Sequence, residues 1–162
     1  MLTLAEEKEQ RLLTREEIKA YANWLNSYSW HWYAILTFRY PISLRRAWKL
    51  FNYWKISLKK DSGNRISYFM VVELDTWRVH PHLHVFLSGT ADEKPYLWEQ
   101  EWFSTAGIAK IAEYNHSLGA SYYLSEKLKD GKADIKFSQE LPQRISEEGC
   151  RINESDVLCN VK

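Results

Sequence analysis

Apolar residues recur along the chain with two different periods, and the switches between them mark out its elements. Over residues 5–28 the period is helical: Thr14 with Glu17 three residues later makes a capping-box pattern, and Ile18, Tyr21, Ala22 and Leu25 follow at helical spacing. The run WHWYAILTFRYP is rich in aromatic and β-branched residues and is closed by Pro41, which predicts a strand. From Ser43, the spacing of Leu44, Ala47, Trp48, Phe51, Trp54 and Leu58 predicts a long amphipathic helix, and DSGN at 61–64 turns the chain. Residues 65–74 and 81–88 predict two further strands, joined by a link so short that they should form an antiparallel hairpin. KPYLWEQEWFS predicts a short helix, IAKIAEY a fourth strand, and GASYYLSEKLKDG a helix stopped by Gly131. Residues 133–162 have little periodicity and are expected to form a peripheral tail.

The order is strand, helix, strand, strand, short helix, strand, helix. It suits an α+β fold: a small antiparallel sheet of four to five strands, with helices packed on one face and the other face open for a ligand. Residues 31–132 would form this domain, and residues 1–30 a helical extension before it.

Composition narrows the class. A chain of 162 residues, 45% hydrophobic and 27% charged, belongs with soluble globular proteins and holds one domain with appendages. No apolar run approaches the roughly 20 residues that span a bilayer. The start MLTLAEEKEQ is too acidic for a secretory signal, so a cytoplasmic protein with no membrane partner is expected. Cys150 and Cys159 lie late, without a partner pair or a nearby histidine, and are expected to be reduced thiols. The net charge of +1 conceals a basic stretch, because Arg39 to Lys60 contains seven Lys and Arg and no acid. No Gly-x-x-x-x-Gly-Lys-Ser/Thr loop is present, so any duplex opening would fall to supercoiling or a helicase.

The densest chemistry lies in HPHLHVFLSG, residues 80–89. Side chains two apart on a strand share a face, so His82 and His84 project together, and two neighbouring imidazoles are costly to bury without partners. A metal ion would resolve the cost. Folding the hairpin about residues 77–79 sets Glu73 across from His82 or His84 on the same side of the sheet; Asp75 and His80 share that face nearer the turn. Two imidazoles and a carboxylate suit a divalent ion such as Mn²⁺ or Mg²⁺ with open positions for a phosphate oxygen. In SYYLSEKLKD, Tyr123 and Lys127 stand one helical turn apart on one face, with Tyr122 turned about 100° away.

Taken together, these residues resemble the HUH-type single-stranded DNA endonucleases, and within them the replication initiator (Rep) proteins of small plasmids and phages. ILTF (35–38) is similar to the first-strand motif, HLH (82–84) to the His-hydrophobic-His motif, and GASYYLSEKLKDGK (119–132) to the nucleophile helix, in the family's order. The resemblance covers residues 32–132 and implies an RRM/ferredoxin-like sheet carrying His82, His84 and Glu73 as metal ligands. It also implies Tyr123 as nucleophile, with Tyr122 as the alternative, and Lys127 as its helper. The family's second tyrosine is missing from the nucleophile helix, where Glu126 and Lys127 stand instead, so a single-tyrosine enzyme is implied. The implied product is a 5′-phosphotyrosine with a free 3′-hydroxyl for a polymerase to extend. The implied partners are single-stranded DNA or an origin hairpin, a host helicase and a polymerase, the protein acting as a monomer or dimer. Arg39, Arg45, Arg46 and Lys49 could track the DNA backbone, and Tyr40 and Trp77 could stack on bases. A transposase or relaxase would use the same chemistry. A non-catalytic RRM-like module would bind single strands on the open sheet face.

Overall fold

The computed structural model of the chain describes residues 13–74, 81–129 and 133–145. In chain order the elements are α1 (Arg15–Asn26), β1 (Trp32–Leu36), α2 (Leu44–Ser62), β2 (Ser67–Leu74), β3 (Pro81–Ser88), α3 (Pro95–Thr105), β4 (Ala109–Glu113), α4 (Ala120–Lys127) and β5 (Asp134–Phe137). The strands form one sheet in the order β4-β1-β3-β2-β5, every neighbouring pair antiparallel. β1 and β2 therefore run the same way with β3 between them, which is the split βαβ arrangement of ferredoxin-like folds. The α+β sheet expected from the sequence is present, with five strands.

Alternation along the strands divides the sheet into two faces. On the first, Trp32, Ala34, Leu36, Met70, Val72, Leu83, Val85 and Leu87 meet Phe51, Trp54 and Leu58 of α2 and Trp98 and Trp102 of α3. Buried indoles need a partner for their N–H, and here Trp54 donates to Trp98 O at 3.2 Å and Trp102 to Thr37 O at 2.9 Å. On the second face, Phe69, Val71 and Phe86 pack with Leu25, Tyr28 and Trp30 and with Leu124 and Leu128. Thus α1 and α4 cover part of the second face. The remainder, at the end where β2 leaves the sheet and β3 enters it, stays half-exposed through Ile35, Glu73 and His82.

Local chemistry fixes the helix ends. Thr14 Oγ1 accepts from Glu17 N at 3.2 Å while Glu17 Oε2 accepts from Thr14 N at 2.8 Å, so the capping box anticipated from the sequence is formed. Ser43 caps α2, which ends at Gly63 in the left-handed region. The chain enters α4 through Gly119 at φ 70°, a conformation that a residue with a Cβ adopts only under strain. Gly131, the anticipated stop of this helix, lies outside the described residues, as do Cys150 and Cys159.

β5 falls within residues 133–162, where the sequence gives no strand signal. It pairs with β2 from Phe69↔Phe137 to Val72↔Asp134, and the Lys136 ammonium sits 3.9 Å above the Trp48 ring of α2. Among the described residues, no helix is long and apolar enough to cross a membrane.

Candidate active site

The β2–β3 register places Glu73 directly opposite His82 and Val71 opposite His84, so Glu73, His82 and His84 share the second face. On the other side of β3, Ile35 stands opposite His84 and Tyr33 opposite Phe86, which brings Tyr33 to the same face.

His84 is only 4% exposed, and both of its ring nitrogens have partners. Nε2 lies 3.2 Å from Glu73 Oε2, and Nδ1 lies 3.1 Å from the Tyr33 hydroxyl. A carboxylate only accepts, so Nε2 carries the proton here and Nδ1 accepts from Tyr33. The second carboxylate oxygen, Glu73 Oε1, accepts from Lys127 Nζ at 2.9 Å. The Tyr123 ring meets His84 edge-on at 5.7 Å between centroids, and Lys127 Nζ stands 5.0 Å from the Tyr123 ring centroid.

The packing of α4 explains why these two side chains reach the site. Ser121, Leu124, Ser125 and Leu128 are buried, with Ser125 Oγ donating to Ser121 O at 2.8 Å, so that flank of the helix faces the core. Tyr123 and Lys127, four residues apart, are left along the edge of the helix above β2 and β3, and Tyr123 is 43% exposed. Tyr122 goes elsewhere. It lines a cleft of about 600 Å³ with Arg15, Lys19, Asn23 and Asn26 of α1.

Electrostatics sets the charge states. Burial takes the His84 imidazole below its usual 6.5, more than the Glu73 carboxylate can restore, and the positive charge of Lys127 acts in the same direction as burial. For Glu73, burial pushes the pKa up, but the hydrogen bonds and charges of Lys127 and His84 outweigh it and hold the carboxyl below its usual 4.5. The hydrogen bond to Glu73 holds the Lys127 ammonium above its usual 10.5 despite partial burial, and the Tyr123 hydroxyl adds to the effect. Burial drives the Tyr33 hydroxyl well above 10, with Tyr123 and Glu73 adding to it. At neutral pH the site holds a carboxylate, an ammonium, a neutral imidazole and a neutral Tyr33.

Two donors for a divalent ion are already paired. Oxygen and nitrogen ligands about 2.1 Å from an ion and at right angles to each other lie about 3 Å apart, and Glu73 Oε2 and His84 Nε2 are 3.2 Å apart. To bind through Nε2, the ring would move its proton to Nδ1, where the Tyr33 oxygen can accept it; the same hydroxyl serves both tautomers. Among the described residues, no three of His, Cys, Asp and Glu converge on one point. His82 is half-buried and stands opposite Glu73 on the same face, but does not close with Glu73 and His84 into one cluster.

The anticipated DNA contacts are placed differently. Arg39 Nη2 donates to Phe103 O at 2.6 Å and its guanidinium lies 5.0 Å from the Phe103 ring, tying it to α3. Tyr40 is 69% exposed just beyond β1. Arg45, Arg46 and Lys49 are exposed on α2, which packs on the first face, so the thickness of the sheet separates them from Glu73 and His84. Asp75, Trp77 and His80 lie outside the described residues. Sequence reasoning missed Tyr33, and also Lys110, which is exposed on β4 opposite Ile35 and shares its face. Their alternation along β1 and β4 is readable, but not the adjacency of β1 to β3 that brings them to the histidines. No family model, curated protein or solved structure matches the chain.

Proposed function

We propose that the protein is a metal-dependent endonuclease and strand transferase of single-stranded DNA that works through a covalent 5′-phosphotyrosine on Tyr123, as in the HUH replication initiators of plasmids and phages. One observation carries this reading. Tyr123 and Lys127 of α4, Glu73 of β2 and His84 of β3 surround a single half-exposed point on the sheet.

A divalent cation at the Glu73–His84 pair, with His82 turning in from the same face as a further ligand, would supply a Lewis acid for a phosphate oxygen. The protein's own groups do the rest. Tyr123 Oη forms a bond to phosphorus as the bond to the 3′ oxygen breaks; the phenolic proton leaves to solvent, which reaches the half-exposed ring, and the 3′ oxygen takes one up. Lys127 keeps its proton, so it does not act as the base. Its charge steadies the developing phenolate or the phosphate, and Glu73 fixes its position. A site seated on a sheet between helices admits a single strand more readily than a duplex, so an unpaired stretch or an origin hairpin is the substrate. The freed 3′-hydroxyl serves a polymerase, and duplex opening falls to a cytoplasmic helicase.

The test is incubation with a pool of single-stranded oligonucleotides and Mn²⁺, followed by a denaturing gel. A slower protein band is expected, lost in Tyr123→Phe and kept in Tyr122→Phe. No adduct with any oligonucleotide would replace this reading with a non-catalytic binding module.

A further inference from the structure

Beside Tyr123, between β4 and the first turn of α4, lies a groove of about 460 Å³. Tyr33, Ile35, Ala112, Ala120 and Tyr123 line it, with Glu113 and Asn115 as its polar wall. Two of these walls belong to the candidate active site: the Tyr33 hydroxyl is 3.1 Å from His84 Nδ1, and the Tyr123 ring packs on the edge of the same imidazole. The groove therefore continues the site, on the β4 side of His84, while Glu73 and Lys127 stand on its β2 side.

Its lining determines what it can hold. No lysine or arginine is among the lining residues, and Glu113 in its wall would repel a phosphate, so the DNA backbone is excluded as occupant. What remains is aliphatic surface, two phenol rings and the carboxamide of Asn115, which favour a flat, uncharged group able to stack. We propose that the groove takes one unpaired nucleobase of the strand whose phosphate lies at Tyr123. This rests on the function proposed above and adds to it a base-binding pocket. Stacking makes the pocket tolerant of base identity, because every base has a π-face. A base seated there sets the position of the neighbouring phosphate relative to Tyr123 Oη, and a base held in a pair could not enter.

The test uses fluorescence anisotropy with two labelled probes of equal charge, a thymidine oligonucleotide and an abasic phosphodiester chain, each of about 12 nucleotides. The wild-type protein should bind the thymidine chain about tenfold more tightly. Ala112→Leu fills the groove from an exposed strand position and should bring the two affinities within about twofold of each other, leaving that for the abasic chain unchanged. Retained abasic binding shows that the variant is folded. Ile35→Ala, which removes another wall, should weaken the base preference in the same way. A preference undiminished in both variants overturns the groove assignment alone. Failure of the wild-type protein to bind either chain overturns the proposed function along with it.

Discussion

Lys127 Nζ lies 2.9 Å from Glu73 Oε1, while the other oxygen of the same carboxylate faces His84 Nε2. One carboxylate thus links the helix that carries the candidate nucleophile to the strand that carries the histidines. Lys127→Met should lower the single-turnover rate of adduct formation by about 10²- to 10³-fold, the usual cost of removing one preorganised electrostatic stabiliser. Oligonucleotide affinity should change far less, and Lys127→Arg should restore part of the rate. Equal rates for Lys127→Met and wild type would show that the ammonium does not act on the reaction.

Tyr33 contributes through its hydroxyl and its ring separately, and Tyr33→Phe divides the two. The ring stays against Phe86, so the fold should lose only about 1 kcal/mol. His84 loses the partner that fixes its tautomer and orientation. Mn²⁺ affinity, followed by isothermal titration, should fall about 10- to 100-fold. An unchanged titration would remove Tyr33 from any role in ligand positioning.

Stability should depend on His84 in weak acid. Burial lowers its pKa below the 6.5 of the exposed ring, so between those values the unfolded chain binds more protons than the folded one. The stability it confers is complete above pH 6.5 and is lost as the pH falls through the folded value. Glu73, also lowered, adds a separate loss only below its usual 4.5. Urea midpoints in metal-free buffer should therefore decline from about pH 6.5 downward, and His84→Gln should flatten that part of the profile. Parallel profiles for the two proteins would contradict the assignment.

Lys110 and Lys49 offer a comparison of the two faces. Lys110 shares a face with Ile35 and the histidines, whereas Lys49 lies on α2 behind the sheet. Lys110→Ala should reduce the salt dependence of single-strand binding by about one phosphate contact, and Lys49→Ala should leave it unaltered. The opposite result would mean that the strand runs over α2.

The split in what the sequence discloses has physical causes. Glu73 is readable because a hairpin with a short link constrains its own register, which places Glu73 near the histidines. The buried state of His84 is not, because Tyr33 comes from β1 and joins β3 only through the long α2 crossover. The basic residues of α2 show the same limit: helical spacing tells which side of the helix meets water, not which face of the sheet the helix covers. In β5, Ile135 is half-buried and Phe137 is 56% exposed, so four residues offered no apolar alternation strong enough to signal a strand.

Because β5 lies outside β2, the strand bearing Glu73 has a neighbour on each flank, as does the strand bearing the histidines. Among the described residues, β4 and β5 form the rims of the sheet, and rims are where backbone amides open first. β5 pairs with β2 as far as Val72, one residue short of Glu73. The gap between carboxylate and imidazole is therefore set by the ladder between β2 and β3, both interior strands, and fraying at either margin leaves that ladder paired.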